Sequence, residues 1–304
     1  MVRKSKFTYF SLFVLAYNVL VILFGAFVRA TGSGSGCGAH WPTCNGELLP
    51  TSPIVETIIE FTHRATSGLS LILVFFLLVY TFRISMKGSF IRKAALSAFL
   101  FTISEALLGA SLVLFQLVGE NDSIARAIVI SAHLLNTFML LASLVLVYEW
   151  SKYTEPKKIK FSQINSAWLV LMTILILILG MSGAITALGD TLFPSSSLVE
   201  GLVQDTLNSV HFLIELRVYH PLLAILASVA LILMVKFIVK IDADKRIIKR
   251  ANLVITFFLF QLFLGGLNVV LLAPIWMQII HLLFADLIWI SYVMFINRLL
   301  IVDS

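Results

Sequence analysis

The sequence predicts an all-α polytopic membrane protein with eight transmembrane helices, built as two tandem pseudo-symmetric four-helix bundles. Three observations predict it. Of 304 residues, 60% are hydrophobic and 12% charged, with a mean hydropathy of +1.01, outside the range of soluble domains. The apolar residues gather into eight runs, each long enough at ~1.5 Å per residue to cross a ~30 Å hydrocarbon layer as a helix. Motifs of the first half also recur in the second. The net charge of +6 would suit nucleic acid, but the basic residues lie in short loops without interleaved aromatics. The partner they imply is membrane lipid, and no nucleic acid is expected.

The spans fall near 8–30, 59–84, 93–117, 127–150, 164–188, 213–239, 251–272 and 276–299. The first is too long for a signal-peptide core and no lipobox precedes Cys37, so it reads as a retained helix. Eight crossings bring both termini to one side. That side holds 18 of the 22 Lys and Arg residues, including Arg3, Lys4, Lys6, Lys157, Lys158 and Lys160. The other keeps only Arg29, Arg64, Arg126 and Arg217. The positive-inside rule therefore places both termini in the cytoplasm of a bacterial inner-membrane protein.

The first outer loop, 31–58, carries the only cysteines, Cys37 and Cys44. Its compartment is oxidising, and a disulfide is the simple reading. A plain staple and a redox-active pair both remain open.

The halves align piecewise. Gly25-Ala26 matches Gly183-Ala184 at an offset of 158, Leu108-Gly109 matches Leu264-Gly265 at 156, and His63 matches His220 at 157. His133-Leu134-Leu135 matches His281-Leu282-Leu283 at 148, which implies a shorter outer loop between spans seven and eight, by about eight residues. The units are residues 1–155 and 156–304, related by an axis along the membrane normal.

The repeated histidines share a depth. Each lies 17–20 residues from the basic residue closing its span on the cytoplasmic side, roughly 26–30 Å at the helical rise. Imidazoles facing each other across a bundle core suit axial ligation of haem iron. Zinc finds no third or fourth ligand near either pair. Arg29, Arg64, Arg126 and Arg217 are the cations available for haem propionates, with lipid-phosphate anchoring as the alternative. His40 and His211 have no repeat partner and read as ordinary interfacial residues.

Symmetry breaks at Glu60, one helical turn before His63, where the second half has Arg217. A carboxyl beside a buried cofactor suggests function, although pairing with Arg64 or Arg29 would also account for it. Glu105 and Asp286 lie within spans and remain second-rank candidates.

The segments Gly25-Ala26-Phe27-Val28-Arg29-Ala30-Thr31-Gly32, Cys37-Gly38-Ala39-His40-Trp41-Pro42-Thr43-Cys44, Glu60-Phe61-Thr62-His63-Arg64 and Gly265-Gly266-Leu267-Asn268 with His281-Leu282-Leu283 resemble haem A synthase of the bacterial type with an outer-loop cysteine pair. The likeness covers nearly the whole chain. It implies an oxidoreductase that converts the C8 methyl of haem O into the formyl group of haem A. By position, His63 and His133 would flank the substrate iron, and His220 and His281 would ligate a permanent haem b. Glu60 would be catalytic, and Cys37 and Cys44 would form a redox-linked disulfide. Implied partners are haem O synthase (protohaem farnesyltransferase) and factors that assemble haem-copper oxidases. The chain departs from its own repeat at His220-Pro221, where the first half has His63-Arg64. A bis-haem quinol cytochrome and a haem-carrying assembly factor are the alternatives.

Overall fold

The computed structural model describes residues 2–51, 54–153, 158–159, 166–206, 211–241 and 244–302. The boundary expected at 155–156, the start of the fifth span at 164, Lys157 and Lys160 lie outside the described residues. Among the described residues ten α-helices form: α1 (Val2–Ala30), α2 (Val55–Ile84), α3 (Phe90–Leu114), α4 (Ile124–Ser151), α5 (Ser166–Leu192), α6 (Leu198–Thr206), α7 (Phe212–Arg217), α8 (Tyr219–Ile241), α9 (Lys245–Val270) and α10 (Ile275–Leu300). With α7 and α8 counted as one rod, eight of them are long and apolar enough to cross a membrane. This is a multi-pass membrane protein. The strands among the described residues are a two-residue antiparallel pair, Lys158–Ile159 with Ile301–Val302.

Local chemistry explains where the elements depart from the apolar runs. α9 starts six residues before the expected 251 because Asp244 caps it, accepting from the Arg246 amide at 2.7 Å. A charged first turn is invisible to a hydrophobicity pattern but extends the helix all the same. Hydrogen bonds from Arg298 and Arg246 hold the Asp244 carboxyl well below the ordinary carboxylate range. The sixth span breaks at Val218 because Pro221 has no N–H to donate and its ring crowds the carbonyl of Arg217. α6 lies between spans five and six, where the apolar pattern predicts nothing. Ser197 Oγ accepts from the Glu200 amide at 3.2 Å, and Glu200 accepts from the Ser196 amide at 2.9 Å, a reciprocal cap. The Ser196 hydroxyl and amide hold the Glu200 carboxyl below its usual value.

α1, α2, α3 and α4 pack as a closed ring, each against the next and α4 back on α1. α5, α8, α9 and α10 form a second ring in the same order. The rings meet where α4 packs on α5 and α10, and α1 on α10. Along that seam the Phe138 ring stacks on Trp289 with centroids 5.3 Å apart, and Trp289 Nε1 donates to the Phe138 carbonyl. Gly180 permits this approach, since a Cβ there would stand 2.6 Å from the Phe138 ring. At the end of the bundle away from the cysteine loop, buried Glu149 accepts from Arg250 at 2.6 Å, and Trp150 Nε1 donates to Asn297 Oδ1 at 2.8 Å. Leu20, Ile72, Leu107 and Phe263 are exposed on the outer faces, as lipid-facing positions require.

The change in repeat offset has two sources. The connection 115–123 between α3 and α4 is five residues longer than 271–274 between α9 and α10. The other three residues form an extra first turn on α4 ahead of His133, so the expected loop shortening is part loop and part helix.

Candidate functional site

Each repeated histidine projects from one membrane span against a glycine of the span before it. His63 on α2 faces Gly25, His133 on α4 faces Gly109, His220 on α8 faces Gly183 and His281 on α10 faces Gly265. A Cβ on those glycines would lie 3.1, 3.7, 3.0 and 3.3 Å from the nearest ring atom, respectively. Ordinary contacts between carbons are ~3.5–4.0 Å, so three of the four glycines clear space that alanine would take from the imidazole. The repeat thus uses a ring-and-glycine unit four times within this one chain.

In the second half the two rings come together. His220 and His281 have centroids 6.4 Å apart with planes at 78°. Two metal–nitrogen bonds of ~2 Å in line, plus the distance from each nitrogen to its ring centre, give about this separation. The separation of the pair would suit one iron bound by a nitrogen of each ring. His220 Nδ1 is oriented by Ser182 Oγ at 2.9 Å, while His281 Nδ1 is buried without a hydrogen-bonding partner.

In the first half the surroundings are acidic. His63 packs edge-on to Phe24 with centroids 5.6 Å apart. His133 Nδ1 lies 2.9 Å from Glu105 Oε1, close but not yet aligned as a hydrogen bond. Glu105 in turn accepts from Asn136 Nδ2 and Thr137 Oγ1. Asn136 and Thr137 are not evident as site residues in sequence. The mismatch of Glu105 with Gln261 in the repeat is the signal that points to them.

Glu60 is 3% exposed and held from two sides. Its Oε2 accepts from the Cys37 amide at 2.8 Å, and its Oε1 is ion-paired with Arg64. Cys37 and Cys44 form a disulfide. Gly36 lets their loop lie on the first turn of α2, where a Cβ would come within 2.4 Å of the Glu56 carbonyl carbon. Thr57 Oγ1 fastens it by donating to the Gly36 carbonyl at 2.6 Å. The loop and the carboxylate are one assembly.

The four arginines all have protein acceptors. Arg64 also donates to the His40 carbonyl at 2.7 Å. Arg29 reaches across the seam to Thr191 Oγ1 at 2.8 Å and Gln278 Oε1 at 2.9 Å. Arg126 donates to the Gly119 and Asn121 carbonyls, both at 2.6 Å. Arg217 pairs with Asp205 at 2.6 Å and with Asp190 at 3.7 Å. His211 caps α7 through Nδ1 and lies 3.3 Å from Asp122, bridging the outer loops of the two halves. Asp286 is fully buried on α10, with neither carboxylate oxygen hydrogen-bonded.

The profile of the cytochrome oxidase assembly protein family (COX15-CtaA) matches residues 8–293. A protoheme IX farnesyltransferase of Thermus thermophilus is 46% identical over 280 residues, which cover 92% of this chain and 46% of that protein. A heme A synthase of Staphylococcus carnosus is 26% identical over 277 residues, covering 88% and 86%. A heme A synthase of Halalkalibacterium halodurans is 44% identical over 142 residues, covering 45% of each chain. The chain spans about half the length of the Thermus relative, so the farnesyl transfer in that protein's name is not placed on the matched part.

Proposed function

The chain belongs to the cytochrome oxidase assembly protein family, and from that premise we propose that it is a haem A synthase, oxidising the C8 methyl of haem O to a formyl group. The observation that carries this reading is one histidine-and-glycine scaffold present twice, with a carboxylate one turn from a histidine in the first copy alone. Two equivalent electron carriers would be built alike, and these two sites are not.

The units 1–155 and 156–304 then divide the work. His220 and His281 would hold a permanent haem b, and His63 and His133 would receive the iron of the substrate haem. Iron porphyrin supplies the oxidising chemistry that no side chain provides. In this reading Glu60 takes a proton released from the methyl carbon or stabilises positive charge there. The Cys37 amide and Arg64 fix its orientation, and the Cys37–Cys44 disulfide fixes the amide. Both haems sit at the end of the bundle bearing the cysteine loop, with the termini in the cytoplasm by the basic-residue bias. Arg29, Arg64, Arg126 and Arg217 lie toward that end and would serve propionates by sharing or exchanging the protein acceptors they now hold.

The substrate's farnesyl tail suggests its source. The Thermus relative joins a stretch like this chain to a remainder of more than half its length and is named for farnesyl transfer. We infer delivery of haem O from an enzyme of that kind, and passage of haem A to haem-copper oxidase assembly.

Haem extraction from the purified protein tests the reading. Haem b with haem O, a hydroxylated haem or haem A is the expected content. Two haem b per chain and no modified porphyrin would make the protein a cytochrome instead.

A further inference from the structure

We propose that Glu105 is a positioning residue of the first-half site, its carboxylate accepting the Nδ1 hydrogen of His133 and making that ring a stronger iron ligand than His281. The inference rests on the reading that His133 flanks a haem iron. Three positions that differ together between the halves carry it. Glu105 Oε1 lies 2.9 Å from His133 Nδ1, and a modest turn about the ring torsion, which is broad for imidazole, aligns the pair. Asn136 and Thr137 both donate to the carboxylate, and Ser104 Oγ holds Asn136 from behind. The acid is clamped toward the ring by its own hydrogen bonds.

The second half has none of this. Gln261 stands where Glu105 stands, and its Nε2 donates to the His281 carbonyl at 2.9 Å instead of serving the ring. Phe284 and Ala285 occupy the positions of Asn136 and Thr137, so nothing there would hold a carboxylate. His281 Nδ1 has no hydrogen-bonding partner. A carboxylate behind a ligating imidazole raises its basicity and shifts metal affinity by about 10–100-fold. The greater electron donation favours ferric over ferrous iron. One scaffold thereby acquires two potentials, the lower in the half where the substrate is oxidised.

The test is a redox titration of the purified full-length protein reconstituted with haem O, followed by absorption and electron paramagnetic resonance. The first-half signal is the one that His63→Ala abolishes. Glu105→Gln should raise its midpoint potential by about 59 mV, a tenfold loss of ferric preference in a one-electron couple, and leave the second-half haem unmoved. Q261E/A285T, which carries the acid and its hydroxyl clamp into the second half, should lower the potential of haem b. A first-half potential and spectrum unchanged by Glu105→Gln overturn the proposal. If that variant does not accumulate, an unchanged haem b potential in Q261E/A285T overturns it. Wild-type protein with no signal dependent on His63 removes the reading of the site, and the proposal with it, before any Glu105 variant is made.

Discussion

Ahead of His63 stands Glu60, tied to the Cys37 amide and Arg64; at the repeat-matched place ahead of His220 stands Arg217, tied to Asp205 and Asp190. Behind the second histidine of each half stand Glu105 in one case and Gln261 in the other. The rings and their glycines are common to both halves, while the carboxylates beside the histidines, Glu60 and Glu105, have no counterpart at the matched positions Arg217 and Gln261 of the second. In the proposed reading the shared parts hold the haems, and the unshared parts handle charge beside them. In a low-dielectric bundle each buried carboxylate costs several kcal/mol unless it is paired. Glu60 is ion-paired with Arg64 and Glu105 accepts hydrogen bonds from Asn136 and Thr137, partners that the matched positions of the second half do not supply.

The largest expected effect breaks the second-half site. His281→Ala removes one of two imidazoles 6.4 Å apart, and the second-half haem should be lost from the absorption spectrum of the purified protein. Unchanged low-spin haem would remove the pair from the site. Next is Glu60→Gln, which keeps shape and hydrogen-bonding reach but removes charge and basicity. Haem b should remain, haem O should accumulate and haem A should fall by at least ~100-fold, the scale of a lost acid–base group. Normal haem A with a lowered melting temperature would reduce Glu60 to a structural partner of Arg64.

A subtler comparison uses the glycines. Gly183→Ala puts a methyl 3.0 Å from His220, whereas Gly109→Ala puts one 3.7 Å from His133, which is ordinary contact. The first should displace the ring by a few tenths of an ångström and weaken haem b retention during purification. The second should leave haem content as it was. Equal behaviour of the two variants would show that the clearance does not set ring position.

Much of this was legible in sequence because it depends on period and count. Eight apolar runs and the histidine offsets are one-dimensional signals, and the described spans begin and end within six residues of the runs. What sequence does not carry is contact between remote segments. The hold of the Cys37 amide on Glu60 depends on a loop folded onto α2, and the grip of Arg29 on Thr191 and Gln278 depends on two helices meeting across the seam. α6 was missed because nine residues with a polar face resemble a loop. Glu105 was visible as an intramembrane acid, but its nearness to His133 depends on how α3 packs against α4.

The smallest expected effect lies far from the histidines, on the seam between the halves. Glu149 of α4 is 1% exposed and accepts from Arg250 of α9 at 2.6 Å and from Lys152 at 2.7 Å. Glu149→Gln is the same chemical change as Glu60→Gln at the opposite end of the bundle, so the two variants separate charge used for chemistry from charge used for assembly. Breaking a fully buried pair costs ~3–5 kcal/mol, but the Arg250 and Lys152 side chains are 26% and 38% exposed and can turn to water, so a loss of about 1–2 kcal/mol is expected. Thermal unfolding in detergent should shift downward by a few degrees while haem spectra and haem A yield stay at wild-type values. A fall in haem A yield would show instead that this ion pair couples the halves during turnover.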